Sequence, residues 1–326
     1  MKKENFTIVA KEVIEKEIFS LKKLKLNLNK SFNKAVEAIL KCKNGKIILS
    51  GVGKSGLIAK KSAATFASTG TPSFFLDASN ANHGDMGQIS SNDILILISL
   101  SGESNELKNI IQFASRNKKI ILIGVTSNKN SILYQNSDIK LHLPKVTEAD
   151  PANIVPTSST IVQLSIFDAL AIACMKAKKF GKLDFKKFHP SGSLSIKLKT
   201  VEDLMISGKK LPIINENKIM KDALRIINLK KLGVLIVINK KNITVGIVTD
   251  GDIKRATQKN KNIHHLKVKK IMTRKPFSVD KDILAAQALS IMNNKKITSL
   301  CIHKNKKPNK TIGLIHIHSI LEANIN

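Results

Sequence analysis

The sequence has no tryptophan, a single tyrosine and only three cysteines among its 326 residues. Cys42, Cys174 and Cys301 lie far apart, show no metal-ligand spacing and would leave one thiol over after any pairing. This usage predicts reduced thiols and excludes a cysteine-based metal module. No apolar run reaches the roughly 18 residues of a membrane-spanning helix, and acids interrupt the basic start, unlike a secretory signal. We therefore expect a cytoplasmic protein with no membrane partner.

Arginine is also scarce in a chain that is strongly basic. Lys plus Arg number 55 against 24 Asp plus Glu, for a net charge of +31, yet only four of the basic residues are arginine. Arginine supplies the planar fork that recognises phosphate and guanine, and aromatic stacking partners are few here. The lysines are spread along the whole chain, which is typical of solvated faces. We expect no nucleic-acid partner, while the positive field favours an anionic substrate.

The middle of the chain alternates between short apolar runs and helical patterns. A hydrophobic fraction of 42% and a charged fraction of 24% exclude global disorder, and the length allows about two domains. After a helical stretch over 1–43, strand-like runs cover 46–56, 93–104, 119–127 and 139–143, and the last precedes a helical pattern over 158–177. The runs are continuous rather than alternating, as in strands buried on both faces. They predict an α/β fold with a doubly wound parallel sheet.

The last third of the chain contains an internal repeat. VEDLM (201–205) returns as VKKIM (268–272), and GIVTDGDI (246–253) returns as GLIHIHSI (313–320). A repeat of roughly 60 residues predicts two like β-α-β-β-α units packed on each other. The segment 189–199, with its proline and glycine, is the expected junction with the first domain.

The turn GVGKSG (51–56) joins the first apolar run to a helix. It does not match the Walker pattern, but its glycines permit a close backbone approach, and Ser55 opens a helix whose N–H groups face outward. Lys54 is the only charge in this turn. The motif alone is compatible with an anion site or with a tight strand-to-helix turn.

Two hydroxyl-rich turns favour a phosphate site. SLSGESNE (99–106) follows a buried strand, and PTSST (156–160) precedes the long helix. More hydroxyls are present than helix capping needs, and hydroxyls with free helix N–H groups bind phosphate. Since the carboxyl ends of parallel strands share one edge of a sheet, these turns are expected to converge. The candidate phosphate-binding residues are Ser99, Ser101, Ser104, Thr157, Ser158 and Ser159.

Four further residues could take part in chemistry. His83 lies in a Gly/Asn loop, Glu148 in the loop after the last strand, and His189 in FHPSG (188–192). Glu106 lies inside the helix that follows the serine turn. On spacing alone, Glu148 and His189 are equally compatible with solvated loop positions.

Several motifs together resemble one family. In order they are GVGKSG, ATFASTGTPSFF (64–75), HGDMG (83–87), SLSGESNE, PTSST, DALA (168–171) and HPSGSL (189–194). They are similar to the sugar isomerase (SIS) domain of arabinose-5-phosphate isomerases, and the repeated tail is similar to the pair of cystathionine-β-synthase-type (CBS) domains in that family. The resemblance implies a flavodoxin-like three-layer α/β sandwich over 1–195, followed by CBS repeats over 201–262 and 265–326.

The resemblance also implies an activity. The family interconverts D-ribulose 5-phosphate and D-arabinose 5-phosphate through an enediolate, without a cofactor, as a homotetramer, and feeds 3-deoxy-D-manno-octulosonate synthesis for lipopolysaccharide. The positions that match its catalytic residues are Lys54, Glu106, Glu148 and His189, and Gly70, Thr71 and His83 match substrate contacts. Some members have a zinc-binding histidine where this chain has Asp77, so no metal site is carried over.

The expected mechanism moves one proton between neighbouring carbons. Glu148 is the preferred base, Lys54 would stabilise the enediolate charge, and His189 would move protons between oxygens or open the sugar ring. The sequence does not separate Glu148 from Glu106 as the base.

The tail has a candidate effector site. Thr249 and Asp252 match the nucleotide-holding positions of CBS domains, but His316 and Ser319 occupy them in the second repeat. We therefore expect weak nucleotide or sugar-nucleotide binding or none, and an oligomer-forming role is equally compatible. The alternatives for the whole chain are an isomerase of another phosphosugar, a non-catalytic phosphosugar-sensing regulator, and a pure interaction protein.

Overall fold

The computed structural model describes residues 5–188, 193–303 and 310–325, and for 193 and 194 only the backbone. The chain divides into two compact units, residues 1–188 and 189–326. His189, one of the expected catalytic residues, lies outside the described residues.

The first unit alternates helices and strands. Its helices are α1 (Phe6–Asn27), α2 (Lys30–Lys41), α3 (Gly53–Ser68), α4 (Ala78–Ala81), α5 (Asn105–Arg116), α6 (Ile132–Asn136), α7 (Ser158–Ala177) and α8 (Lys182–Phe188). Its strands are β1 (Ile47–Gly51), β2 (Ser73–Phe75), β3 (Ile94–Ile98), β4 (Ile121–Thr126) and β5 (Ile139–His142).

These strands form one parallel sheet in the order β2-β1-β3-β4-β5. The five residues of β3 are all buried because alternate side chains enter two different cores. Ile94, Ile96 and Ile98 pack in the cluster that includes α1, α2, α3 and α7, whereas Leu95 and Leu97 pack in the cluster that includes α5. The expected three-layer α/β sandwich is therefore confirmed, and its strand order reverses direction between β1 and β3, where such folds bind ligands.

Helix α7 is long and apolar enough to satisfy the length and composition criteria of a membrane span, although no such run was expected from the sequence. Half of that stretch is buried, and it packs against α1, α2 and α3. The apolar side chains of α7 therefore form part of the hydrophobic core of this unit.

The second unit contains two four-stranded sheets, β10-β9-β8-β7 and β11-β12-β13-β6. Its strands are β6 (Ile206–Ser207), β7 (Ile213–Asn215), β8 (Val234–Ile238), β9 (Thr244–Thr249), β10 (Thr273–Arg274), β11 (Ser278–Asp280), β12 (Ser299–His303) and β13 (Thr311–His316). Its helices are α9 (Ser193–Lys197), α10 (Val201–Leu204), α11 (Met220–Lys230), α12 (Asp250–Lys259), α13 (Ala285–Lys295) and α14 (Ile317–Glu322).

The two halves of this unit are related as the sequence repeat predicts. Thr244 and Thr311, 67 residues apart, occupy equivalent strands and join their hydroxyls at 2.8 Å. Each sheet also takes its edge strand from the other half, β10 in one sheet and β6 in the other. Val234, Cys301 and Leu314 pack in a buried cluster drawn from both halves, so the two repeats fold as one body.

Candidate active site

The turns after β1 and β3 lie side by side. The last residues of these strands, Gly51 and Ile98, are register partners in the parallel sheet. Lys54 and Ser101 each follow three residues later, so both occupy the carboxyl edge of the sheet at its switch point. The structure therefore brings the Lys54 turn and the serine turn together.

The start of α7 reaches the same edge because α7 runs parallel to α3. The Lys61 side chain forms an ion pair with Asp168, and Lys178 Nζ donates to Thr71 Oγ1 at 2.8 Å. In both contacts the two residues are 107 positions apart in the sequence. The same pairing therefore holds in the middle of the helices and at their C-terminal ends, as expected for two helices that run in the same direction. Their N-terminal ends consequently meet at the carboxyl edge, and Thr157 lies on the Lys54 side of the domain.

The serine turn is held together by its own hydroxyls. Ser99 Oγ lies 3.0 Å from Ser104 Oγ and 3.4 Å from Ser101 Oγ, and it accepts the Gly102 N–H at 3.0 Å. Ser104 is the residue that precedes α5 and makes no side-chain cap. Three hydroxyls are thus gathered at a helix N-terminus, an arrangement that suits a phosphate.

Gly102 gives this turn its shape. Its φ of 73° lies in the left-handed region, and a Cβ there would come within 2.1 Å of Ser131 Oγ and 2.9 Å of Thr126 Oγ1. Ser131 and Thr126 are both buried. Only glycine lets the turn approach the end of β4 this closely.

Glu148 is buried against the start of α7. It is 8% exposed, and its Oε2 accepts the Thr157 N–H at 2.8 Å, the Thr157 hydroxyl at 3.2 Å and the Ser159 N–H at 3.2 Å. Burial opposes ionisation of this carboxyl, but the hydrogen bonds outweigh it and hold the pKa of Glu148 below its ordinary value. Glu148 therefore already occupies the anion position at this helix N-terminus.

The PTSST turn is consequently less open to phosphate than the serine turn. The N–H groups of Thr157 and Ser159 are bonded to Glu148, so a phosphate could use them only by displacing a carboxylate of the same charge. Ser158 differs, because its buried Oγ has no hydrogen-bond partner within the described part of the chain.

Lys54 lies in the first turn of α3 with its side chain exposed to solvent. It forms no ion pair among the described residues, so its charge is available to an incoming anion. The flanking glycines serve close packing: a Cβ on Gly56 would lie 2.7 Å from the Gly51 carbonyl oxygen. The close packing supports the tight-turn interpretation of this motif, and the anion-site interpretation stays a prediction.

His83 and Glu106 lie near each other at the same edge. His83 is in the connection after β2, and its side chain is exposed, as is that of Glu106 in the first turn of α5. Asn82 Nδ2 donates to the Glu106 carbonyl oxygen at 3.3 Å, which joins the two segments.

Gly70 and Thr71 lie at the opposite edge of the sheet. They follow the C-terminal end of α3, and Ser68, the last residue of that helix, lies about 21 Å along the axis from Lys54 at 1.5 Å per residue. Thr71 accepts a hydrogen bond from Lys178, and a Cβ on Gly70 would come within 2.5 Å of the Phe180 ring. The structure does not bring this pair to Lys54 within one chain, and their assignment as substrate contacts stays a prediction.

Asp77 serves as a helix cap. Its Oδ1 accepts the N–H groups of Ser79 at 2.9 Å and Asn80 at 3.2 Å at the start of α4. Within the described residues, no group of three or more His, Cys, Asp or Glu side chains is placed to hold a metal ion.

The sequence patterns did not single out Ser50, Asn82 and Asn109 as candidate site residues. Ser50 is fully buried near the end of β1, and its hydroxyl has no partner in the part of the chain that the structure describes. Asn82 and Asn109 bond to each other at 2.9 Å beside His83 and Glu106. Ser50 could have been identified as a serine inside an apolar strand, whereas no sequence pattern indicates that Asn82 and Asn109 form a pair.

A cavity lies between the two repeats of the second unit. Its volume is about 800 Å³, and residues of both repeats line it, among them Thr249, Asp252, Arg255, His316 and His318. Asp252 accepts hydrogen bonds from the Thr249 N–H, the Thr249 hydroxyl and the Thr273 hydroxyl, and it pairs with Arg255 at 2.5 Å. Burial opposes its ionisation, yet these bonds hold the pKa of Asp252 below its ordinary value.

Comparison with known families places these sites in context. Residues 39–173 match the SIS domain, and residues 201–259 and 268–326 match the CBS domain. The chain therefore combines an SIS domain with a CBS pair, as its sequence predicted, and is an enzyme of the phosphosugar isomerase class.

Relatives that match almost the whole chain identify the family within this class. The chain is 38% identical to arabinose 5-phosphate isomerase KdsD of Yersinia pestis over 98% of this chain and 97% of the relative. It is 40% identical to the KdsD of Francisella tularensis over 97% and 96% of the two chains. The chain belongs to the arabinose 5-phosphate isomerase family, which confirms the resemblance.

Solved structures match the first unit. An Escherichia coli CFT073 protein in complex with arabinose 5-phosphate is 36% identical and covers 58% of this chain and 100% of its own, with a TM-score of 0.56. A sugar-phosphate isomerase from Listeria monocytogenes is 33% identical, covers 59% and 100% of the two chains, and has a TM-score of 0.56.

Proposed function

We propose that the protein interconverts D-ribulose 5-phosphate and D-arabinose 5-phosphate through an enediolate. The full-length relatives carry the name of this activity, and the Escherichia coli protein of similar fold was solved with arabinose 5-phosphate. The observation that carries the proposal is the gathering of the Ser99, Ser101 and Ser104 hydroxyls at the switch point, where the adjacent strand leads into the turn that carries Lys54.

The phosphate group is held by the serine turn. Its three hydroxyls and the first N–H groups of α5 supply donors for a dianion without a fixed charge. Lys54 adds the cation from the neighbouring turn. Binding energy at the phosphate aligns the sugar carbons with the groups that move the proton.

Proton transfer uses one glutamate as the base, together with Lys54 and His189. A base takes the proton from one carbon and returns it to the next, while Lys54 stabilises the oxyanion of the enediolate. Glu106 is the stronger candidate for the base, because a carboxylate held ionised by three hydrogen bonds, as in Glu148, is a weaker proton acceptor. Glu148 then holds the loop against α7, and His189 moves protons between oxygens.

Substrate turnover in D₂O tests this function. Proton NMR of ribulose 5-phosphate with the purified protein should show arabinose 5-phosphate that carries deuterium at C2. A product without deuterium would contradict exchange through an enediolate, and turnover only of another phosphosugar would transfer the assignment to that substrate.

We also propose that this reaction takes place in a cytoplasmic homotetramer and feeds 3-deoxy-D-manno-octulosonate synthesis. The apolar side chains on α1 support assembly, since Phe6, Phe19 and Leu26 are 74%, 57% and 85% exposed. Sedimentation velocity at micromolar concentration tests the assembly, and a monomer would contradict it.

The domain limits that accompany this proposal are 1–195 for the SIS domain and 201–262 and 265–326 for the CBS repeats. The cavity at Thr249 and Asp252 is the proposed place for an effector, with weak nucleotide binding or none.

A further inference from the structure

Asn82 and Asn109 connect two segments that carry proposed active-site residues. Asn109 Nδ2 donates to Asn82 Oδ1 at 2.9 Å, and Asn82 Nδ2 donates to the carbonyl oxygens of Glu106 at 3.3 Å and Ala78 at 3.0 Å. Both N–H groups and the oxygen of the Asn82 amide are therefore used. We name the pair Asn82 and Asn109 the asparagine clamp.

The clamp lies directly beside both functional side chains. Asn82 is the residue before His83 in the chain. Asn109 is three residues after Glu106, so the two lie on one face of α5, one turn apart. The clamp thus spans from the Glu106 face of α5 to the backbone next to His83.

The side chains of His83 and Glu106 are positioned by their backbones. Both are exposed, and neither has a hydrogen-bond partner for its side chain among the described residues. Directly after His83, Gly84 has a φ of 119°, and a Cβ there would meet no atom within 4 Å. Backbone hydrogen bonds from the His83 N–H to Asn80 at 2.9 Å and from the Gly87 N–H to Gly84 at 3.0 Å hold this turn locally. The Asn82 amide supplies the side-chain contact that joins it to α5.

Apolar packing sets the separation of these segments only coarsely. Ala81 on α4 and Leu107 and Ile110 on α5 belong to one buried cluster. Such burial is non-directional, whereas hydrogen bonds at 2.9 to 3.3 Å fix orientation. The clamp is the directional side-chain contact between the turn that carries His83 and the helix that carries Glu106.

We propose that the asparagine clamp fixes His83, the proposed substrate contact, relative to the proposed base Glu106, so that Asn82 and Asn109 are positioning residues of the isomerase site. The inference rests on the proposed function. It assigns them no contact with substrate, since they act through the backbones of His83 and Glu106.

The clamp predicts a specific kinetic signature. Asn82→Ala and Asn109→Ala should each lower kcat by about tenfold to a hundredfold, because small displacements of reacting groups have effects of this size. KM should stay within about twofold, since the serine turn that binds phosphate is untouched. The double variant should be no slower than the slower single variant, because both changes break one unit.

A graded variant separates the two arms of the clamp. Asn82→Asp keeps an oxygen for the Asn109 N–H but loses the donor to the Glu106 carbonyl. Its kcat should lie between wild type and Asn82→Ala. Asn136→Ala is the matched control, because the Asn136 amide on α6 donates to the carbonyl of its own helix at Ile132 and is far from His83 in the sequence; its kinetics should equal wild type.

Steady-state kinetics and amide hydrogen exchange, measured on the full chain, test the proposal together. Amide hydrogens in peptides that cover residues 78–84 should exchange faster than in wild type in Asn109→Ala and at the wild-type rate in Asn136→Ala. The melting midpoints of both variants should stay close to that of wild type. Unchanged exchange, an unchanged kcat, additive effects in the double variant, or a rise in KM alone would each overturn the clamp. Wild-type protein without isomerase activity would instead overturn the proposed function, and the exchange result would still be read independently.

Discussion

Glu148 Oε2 accepts the backbone N–H of Thr157 at 2.8 Å, so the carboxylate occupies the helix N-terminus that a phosphate would otherwise take. The Ser159 N–H at 3.2 Å completes this contact. We therefore propose the serine turn, rather than this helix N-terminus, as the phosphate site, with different roles for Glu106 and Glu148.

Glutamine substitutions should distinguish the two glutamates. Glu106→Gln should lower kcat by about 10²–10⁴ with little change in KM, as expected for loss of a general base. Glu148→Gln should instead lower stability, because a neutral amide oxygen accepts the hydrogen bonds of Thr157 and Ser159 more weakly than a carboxylate does. Kinetics combined with thermal melting check this, with the exposed Glu37→Gln as control. A larger loss of kcat in Glu148→Gln at unchanged stability would make Glu148 the base.

The contribution of Glu148 to stability should depend on pH. Its pKa is lower in the folded protein than the ordinary value of 4.5, so its stabilising effect is complete above that value and is lost as pH falls through the folded pKa. The difference in unfolding free energy between wild type and Glu148→Gln should therefore be constant near neutrality and shrink below about pH 4.5. Urea titrations across this range measure it. A difference that grows on acidification would contradict the assigned contacts.

Gly102→Ala should damage both the fold and the site. The added methyl would lie 2.1 Å from Ser131 Oγ on a backbone with φ of 73°. We expect a loss of about 1–3 kcal/mol in unfolding free energy and weaker substrate binding, since the serine turn must shift. Gly87→Ala, where a Cβ meets nothing within 4 Å, is the matched control. Equal melting of the two variants would argue against the tight contact.

The cavity between the repeats should bind nucleosides poorly. Asp252 already accepts four hydrogen bonds, which fill the acceptor positions of its two oxygens. A ribose hydroxyl would have to displace one of them. Calorimetric titration with ATP, AMP and a CMP-linked sugar should show no micromolar binding, and a micromolar dissociation constant for any of them would refute this.

Sequence patterns predicted the parts of the fold with strong local signals. The runs that became β1, β3, β4 and β5 are continuous because both faces of the sheet are covered. The strand Ser73–Phe75 and the helices Ala78–Ala81 and Ile132–Asn136 are too short for a periodic signal and were not predicted. The repeat in the tail was visible because equivalent strands keep the same apolar spacing.

The site was predictable to the extent that topology determines it. Parallel strands deliver Lys54 and the serine turn to one edge, and this followed from the strand–turn–helix order. The same rule places Gly70 and Thr71 at the other edge, since α3 leads the chain back across the sheet, although the family resemblance grouped them with the substrate. The contact of Glu148 with Thr157 depends on the path of a loop, which has no sequence pattern.

Every role proposed for the site depends on phosphate binding by the serine turn, and calorimetry of arabinose 5-phosphate measures that binding. Titrations should compare wild type with a variant that replaces Ser99, Ser101 and Ser104 by alanine, with folding checked by circular dichroism and Ser115→Ala, whose hydroxyl donates within its own helix, as control. Loss of several phosphate hydrogen bonds, each worth about 1.5–3 kcal/mol when charge-assisted, predicts a dissociation constant at least about a hundredfold higher in the triple variant and no change in the control. An unchanged dissociation constant in a folded triple variant would contradict phosphate binding at this turn.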